Sequence, residues 1–173
     1  VKIRSPEGLA SEVFKRVGAA PVSLPFSEVY TALEKGLIDA ADASAFVNNE
    51  ASGMHKIAKF PIYPGIHSMA VLQFVMNKGV WNKLSKDDQT ALTIWYNAAY
   101  DAMRREADIQ DRGIARKYAD GKTVKVVDWA QAERDKFRAI AVQAWKDYAA
   151  KSPLAKEALD ANLKFMKDQG MLK

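Results

Sequence analysis

The first 42 residues pass twice between the period of a strand and the period of a helix, and this alternation constrains the fold more than any other feature. Phe26, Val29, Tyr30, Leu33 and Leu37 recur at the spacing of a helix with one buried face. Gly36 can end that helix in a left-handed conformation. Leu37 to Asp42 then reads as a short strand with carboxylates at its far end. Upstream lies a second unit of the same kind. KIRSP is a strand end, GLASEVFKRVG a helix buried through Leu9, Val13 and Phe14, and Pro21 to Pro25 the next strand. The order strand, helix, strand, helix, strand predicts a parallel sheet with ligand chemistry at its carboxyl edge.

Arg4 ends the first strand at that edge. Ser5 and Pro6 have the chemistry of an N-cap and a first helical residue. Arg4 is thereby expected beside a helix N-terminus, where free backbone N–H groups favour an anion. Its planar fork suits a carboxylate bound by two parallel hydrogen bonds. From these residues alone, a surface arginine paired to Glu7 is the alternative.

The stretch after Asp39 is polar and offers Asp42, Ser44, Asn48 and Asn49 as ligand-facing groups. His55 and His67 are the only histidines, too few and wrongly spaced for a zinc site. His55 is read as structural, while His67 follows the turn Tyr63-Pro64-Gly65-Ile66 and is a candidate for lining a cleft. Tyr63 is the nearest aromatic for packing on an organic ligand. Met69 to Met76 is a continuous apolar run of the length of a strand buried on both faces. Ser85 caps a helix that runs without proline to about Tyr118, far beyond the usual ~11–12 residues. Leu92, Trp95 and Met103 line one side of it, and Gly121 closes it. Thr123 to Val127 is a returning strand. Trp129 to Ala150 and the segment after Ser152-Pro153 are amphipathic helices.

Composition narrows the function classes. The net charge of +5 is spread along the chain without a basic block, which disfavours nucleic acid. No apolar run reaches the ~18 residues of a membrane span. No GxSxG, HExxH, CxxC or phosphate-loop motif is present, so the chain is expected not to be an enzyme and to use no cofactor. Asp39 and Asp42 form the one carboxylate pair that could do acid–base work, with no activated partner beside it. The chain opens inside a strand and without an initiator Met, as a fragment would.

Two motifs together resemble a known family. KIRSP, and VGAAPVSLPFSEVYTALEKGLIDA after it, are similar to the extracytoplasmic solute-binding proteins of tripartite ATP-independent periplasmic (TRAP) transporters, the DctP-like family. The likeness covers most of residues 1–84. It implies an α/β, two-lobed, periplasmic-binding-protein-like fold, of which this chain supplies the second lobe, hinge elements and long C-terminal helices. Residues 1–67 and 121–173 would form the second lobe. Residues 68–120 would contribute a crossover strand and a hinge-spanning helix to a first lobe whose N-terminal part is absent. The resemblance makes Arg4 the clamp of a substrate carboxylate, with Asp42, Ser44, Asn48, Tyr63, His67 and Ser68 around it. It implies a small organic acid as ligand, membrane permease subunits as partners, a periplasmic location and a homodimer in some members through the C-terminal helix. In the keto-acid branch a Glu-Trp pair and a glutamine help bind a bridging metal. Here Asp42, Ala43 and Ser68 stand at those positions, so no bridging metal is expected, Asp42 being the one candidate ligand for a cation. A helical interaction or oligomerisation domain, resting on the helices after Ser85, is the alternative from another class.

Overall fold

The computed structural model describes residues 1–66 and 73–172. In chain order the elements are β1 (Lys2–Arg4), α1 (Leu9–Arg16), β2 (Ala20–Val22), α2 (Val29–Glu34) after a 3-10 turn at Phe26–Glu28, and β3 (Ala40–Ala41). Then come α3 (Phe46–Ala51), a 3-10 turn at Met54–Lys56, α4 (Lys78–Trp81), α5 (Lys86–Lys117), α6 (Gln131–Ala149) and α7 (Pro153–Asp168). They form two compact units, one of residues 1–43, 56–58 and 128–173, the other of residues 44–55 and 59–127.

In the first unit β1 lies between β2 and β3, and both pairings are parallel. This is the predicted β-α-β-α-β arrangement. Gly36 takes a φ of 66°, the left-handed stop expected of it, a backbone conformation that is strained for residues with a side chain. The buried residues of α2 and the chain after it are Val29, Ala32 and Ile38, while Phe26 and Leu37 are exposed. The stripe read from sequence is thus rotated, because its first member, Phe26, lies in a tighter 3-10 turn before α2. The Ser5-Pro6 helix start is not formed either. Gly8 caps α1 with a φ of 83°, and Ser5, just past the end of β1, keeps to the neighbouring strand, its N–H donating to the Val22 carbonyl at 3.2 Å. The Glu7-Gly8 turn separates Arg4 from the helix N-terminus.

The core of this unit joins Val13 on α1 to Ala141 and Ala144 on α6, with Phe137 and Trp145 packed over them. Small alanines let the two helices approach closely while the aromatics fill the flanks. Phe14 meets Phe137 at 6.0 Å between ring centres, and Arg16 ties α1 to α6 through Asp147 at 2.6 Å. Pro153 begins α7 behind Ser152, whose hydroxyl accepts from the Ala155 N–H at 3.5 Å. The half-buried Leu159, Leu163 and Met166 recur along α7 at helical spacing, and α7 packs on α6.

In the second unit α5 runs for 32 residues, starting where Ser85 predicts it. The Asp88 N–H donates to Ser85 Oγ at 3.1 Å, and Ser85 Oγ–H returns a bond to Asp88 Oδ2 at 2.7 Å. No residue of α5 is buried. Of the apolar run Met69–Met76, Gln73 to Met76 are described and form no strand. Phe74 instead sets its edge against Trp95 at 5.9 Å on the side of α5. An apolar run fits a buried strand and a helix-covering segment equally, and the packing partner decides between them. Thr123–Val127 likewise does not join the three-stranded sheet. It runs parallel to residues 59–63, with Lys125 N–H donating to Lys59 O at 2.8 Å and Tyr63 N–H to Val127 O at 3.0 Å.

Candidate functional site

Arg4 is the last residue of the central strand and registers with Val22 on one side and Ala41 on the other. The strand order reverses around β1, and ligands of open parallel sheets collect at such a switch point, outside the carboxyl ends of the strands. The half-buried guanidinium lies across that edge. Its Nε–H donates to the Leu24 carbonyl at 3.1 Å, and Nη1–H donates to the Asp42 carbonyl at 2.7 Å. Each acceptor belongs to a loop that follows an outer strand, so the side chain is held from both flanks. A guanidinium carries five N–H groups. Those on Nη2 and the second on Nη1 make no other hydrogen bond among the described residues. Glu7 is engaged elsewhere, accepting from Ser23 Oγ at 2.8 Å, so the Arg4–Glu7 surface pair does not form.

Asp42 meets Arg4 through its backbone. Besides its carbonyl, its N–H donates to the Arg4 carbonyl at 2.8 Å. Asp39 stands at the opposite end of β3, where its carboxylate accepts from the Lys2 N–H at 2.7 Å. The strand between them keeps the two acids from working as a catalytic pair.

The remaining described candidates belong to the second unit. Ser44 and Asn48 are brought together, Nδ2 of Asn48 donating to Ser44 Oγ at 3.0 Å. Asn49 Nδ2 donates to the Ser44 carbonyl at 3.0 Å, while its own Oδ1 is a buried acceptor without a donor among the described residues. These contacts turn the expected loop into the start of α3. Because α3 has no cap of its own, Asp111 of α5 supplies one, accepting from the Val47 N–H at 2.6 Å. Burial pushes the Asp111 carboxyl up, against the hydrogen bonds of Val47 and Phe46. At the other end of α3, Glu50 accepts from Lys117 and Tyr118, both at 2.6 Å, and its second oxygen meets His55 Nδ1 at 2.8 Å. Burial disfavours the Glu50 charge, but these three partners outweigh it and bring its pKa down to about 2. His55 is 4 % exposed and lies tilted against Phe46 with ring centres 4.8 Å apart, so it is the structural histidine expected. Tyr63 stacks on Phe46 with ring centres 5.0 Å apart, and burial, then Asp111 and Asp108, push its phenol up. His67 and Ser68 lie outside the described residues.

Reading the sequence did not find the Leu24 and Asp42 carbonyls, Asp111 or the Glu50 network. Pro25 is the one local signal for the first, because it restricts the residue before it. Nothing in the chain order links Glu50 to Lys117 and Tyr118, 67 and 68 residues away.

Residues 1–152 match the family model described as bacterial extracellular solute-binding protein, family 7. The chain belongs to that family. A monocarboxylate 2-oxoacid-binding periplasmic protein of Nostoc sp. is 30% identical over 168 residues, covering 92% of this chain and 44% of its own length. A TRAP periplasmic solute-binding protein of Rhodobacter sphaeroides in an apo open structure is 41% identical, with a TM-score of 0.72, covering 98% of this chain and 54% of that one. One from Pseudoalteromonas atlantica with bound sodium and pyruvate is 28% identical, with a TM-score of 0.83, over 99% of this chain and 52% of that one. This family 7 chain therefore has the expected periplasmic-binding-protein-like α/β fold and spans about half the length of the relatives it matches. The periplasmic placement expected from its sequence agrees with their names. The family is one of solute binding and not of catalysis. Among the described residues no group of three or more His, Cys, Asp or Glu side chains is placed to hold a metal ion.

Proposed function

We propose that the full-length protein is the solute receptor of a TRAP transporter, capturing a small organic carboxylate and delivering it to membrane permease subunits. The observation that carries this reading is Arg4, held across the carboxyl edge of the sheet with N–H groups left to offer. The 2-oxoacid and pyruvate named for two relatives have the planar anion that such a fork matches. Asp42, Ser44, Asn48, Tyr63, His67 and Ser68 are proposed as further ligand-binding residues. Residues 1–67 and 121–173 belong to the second lobe, and 68–120 contribute to the first. Ligand contacting both lobes stabilises the closed arrangement, and its release to the permease reopens it. Reaction chemistry has no part in this cycle. A homodimer through α7 would cover its exposed Leu154 and Phe165.

A thermal-shift screen of the full-length protein against monocarboxylates, dicarboxylates, sugar acids and their neutral amides tests the reading. A ligand at 100 times its Kd stabilises the native state by about 2.7 kcal/mol, which raises Tm by several degrees. At least one acid should do so and its amide should not. Stabilisation by neutral solutes alone would overturn the assignment.

A further inference from the structure

Resting on the carboxylate reading of Arg4, we infer that Pro25 is a positioning residue for the clamp, acting through the carbonyl of Leu24. The Arg4 Nε–H bond to Leu24 O, at 3.1 Å, sets the plane in which the free N–H groups point. The direction of that carbonyl depends on ψ of Leu24. A residue that precedes proline is confined to the extended region, because the proline ring clashes with its helical form. Pro25 itself sits at φ −54°, ψ 143°, and its own carbonyl accepts from Glu28 N–H at 3.0 Å to open the 3-10 turn before α2. The turn therefore anchors Pro25 from behind while the ring restrains Leu24 in front. Asp42 O fixes the other side of the guanidinium at 2.7 Å. With both flanks set before ligand arrives, the arginine loses little freedom on binding. Pro25 is exposed, so its ring contributes little to the core, and its restraint on Leu24 is the role left to explain.

The test is a double-mutant cycle in the full-length protein, using the acid that gives the greatest shift among pyruvate, malonate and galacturonate. Pro25→Ala should weaken binding by about 3- to 10-fold when residue 4 is arginine. In an Arg4→Lys background, where no Nε–H exists to be oriented, it should change binding by less than about 1.5-fold. Hydrogen exchange at Arg4 Nε–H, read by NMR without ligand, should quicken in Pro25→Ala. Leu24→Gly loosens the same torsion from its other side and should act in the same direction, should Pro25→Ala fold poorly. Equal losses in both backgrounds, or unchanged exchange at Nε–H, would overturn the inference. If Arg4→Lys alone binds like the wild type, the clamp is what fails, and the exchange measurement still decides whether Pro25 orients Arg4.

Discussion

Arg4 was legible as a functional residue because its type and its place at a strand end point to an anion. The manner of its positioning was not legible, since backbone carbonyls have no letter of their own. The structure moves the source of order from a helix N-terminus to the carbonyls of Leu24 and Asp42. That change sharpens what substitution should do. Arg4→Lys keeps the charge, but lysine cannot donate in two fixed directions to those carbonyls while facing a ligand. Carboxylate affinity should fall substantially. Arg4→Ala should cost about 2–5 kcal/mol of affinity if the bound carboxylate is left buried without its partner, with little change in Tm. Calorimetry and melting of both variants check this, and binding of Arg4→Ala within twofold of wild type would remove the clamp. A second expectation comes from Ala43 and Ser68, which lack the tryptophan and glutamine of the metal-using branch. Calorimetry before and after exhaustive chelation should give one affinity, and a tenfold loss would show that a cation bridges the ligand after all.

At the scale of elements, the short strands and their helices followed from local pattern, and so did the start of α5 at Ser85. What failed was the environment of Phe26, Leu37 and the run through Met76, because spacing reports a face but not what covers it. The attachment of α3 was equally invisible. That six-residue helix is too short to persist on its own, and Asp111 and Glu50 hold its two ends to α5. Glu50 has a folded pKa near 2 against an ordinary 4.5. A depressed carboxylate contributes stability that is present above its unfolded pKa and lost as pH falls through its folded one. Glu50 should thus contribute on the order of 2–3 kcal/mol at neutral pH, declining between about pH 4.5 and 2. Glu50→Gln should lower Tm at pH 7 and flatten the Tm profile over that acid range. An unchanged acid limb in the variant would mean that Lys117, Tyr118 and His55 do not act through this carboxylate.

The whole molecule poses the question of what α5 is for. A helix of 32 residues with none buried cannot owe its length to packing among the described residues, and propensity alone is a weak support in water. Its attachments to α3 run through Asp111 and Lys117, near its C-terminal end. Toward its start, Trp95 is 55% exposed and Ile94 64%, and Phe74 at 49% lies against Trp95. Apolar side chains grouped this way mark a surface that something covers. Relatives of about twice the length have the chain to cover it, in keeping with the proposal that residues 68–120 contribute to the first lobe. We propose that this exposure belongs to the half of the fold seen here, and that Trp95 is buried in the full-length protein. Trp95→Ala should cost about 3–5 kcal/mol there, the range for removing a buried large aromatic. A truly exposed tryptophan would cost no more than about 0.5 kcal/mol. Urea unfolding of the full-length protein and its variant separates these outcomes through the midpoint, provided the slope stays constant. A midpoint that does not move would leave α5 uncovered and return the helices after Ser85 to the interaction-domain reading.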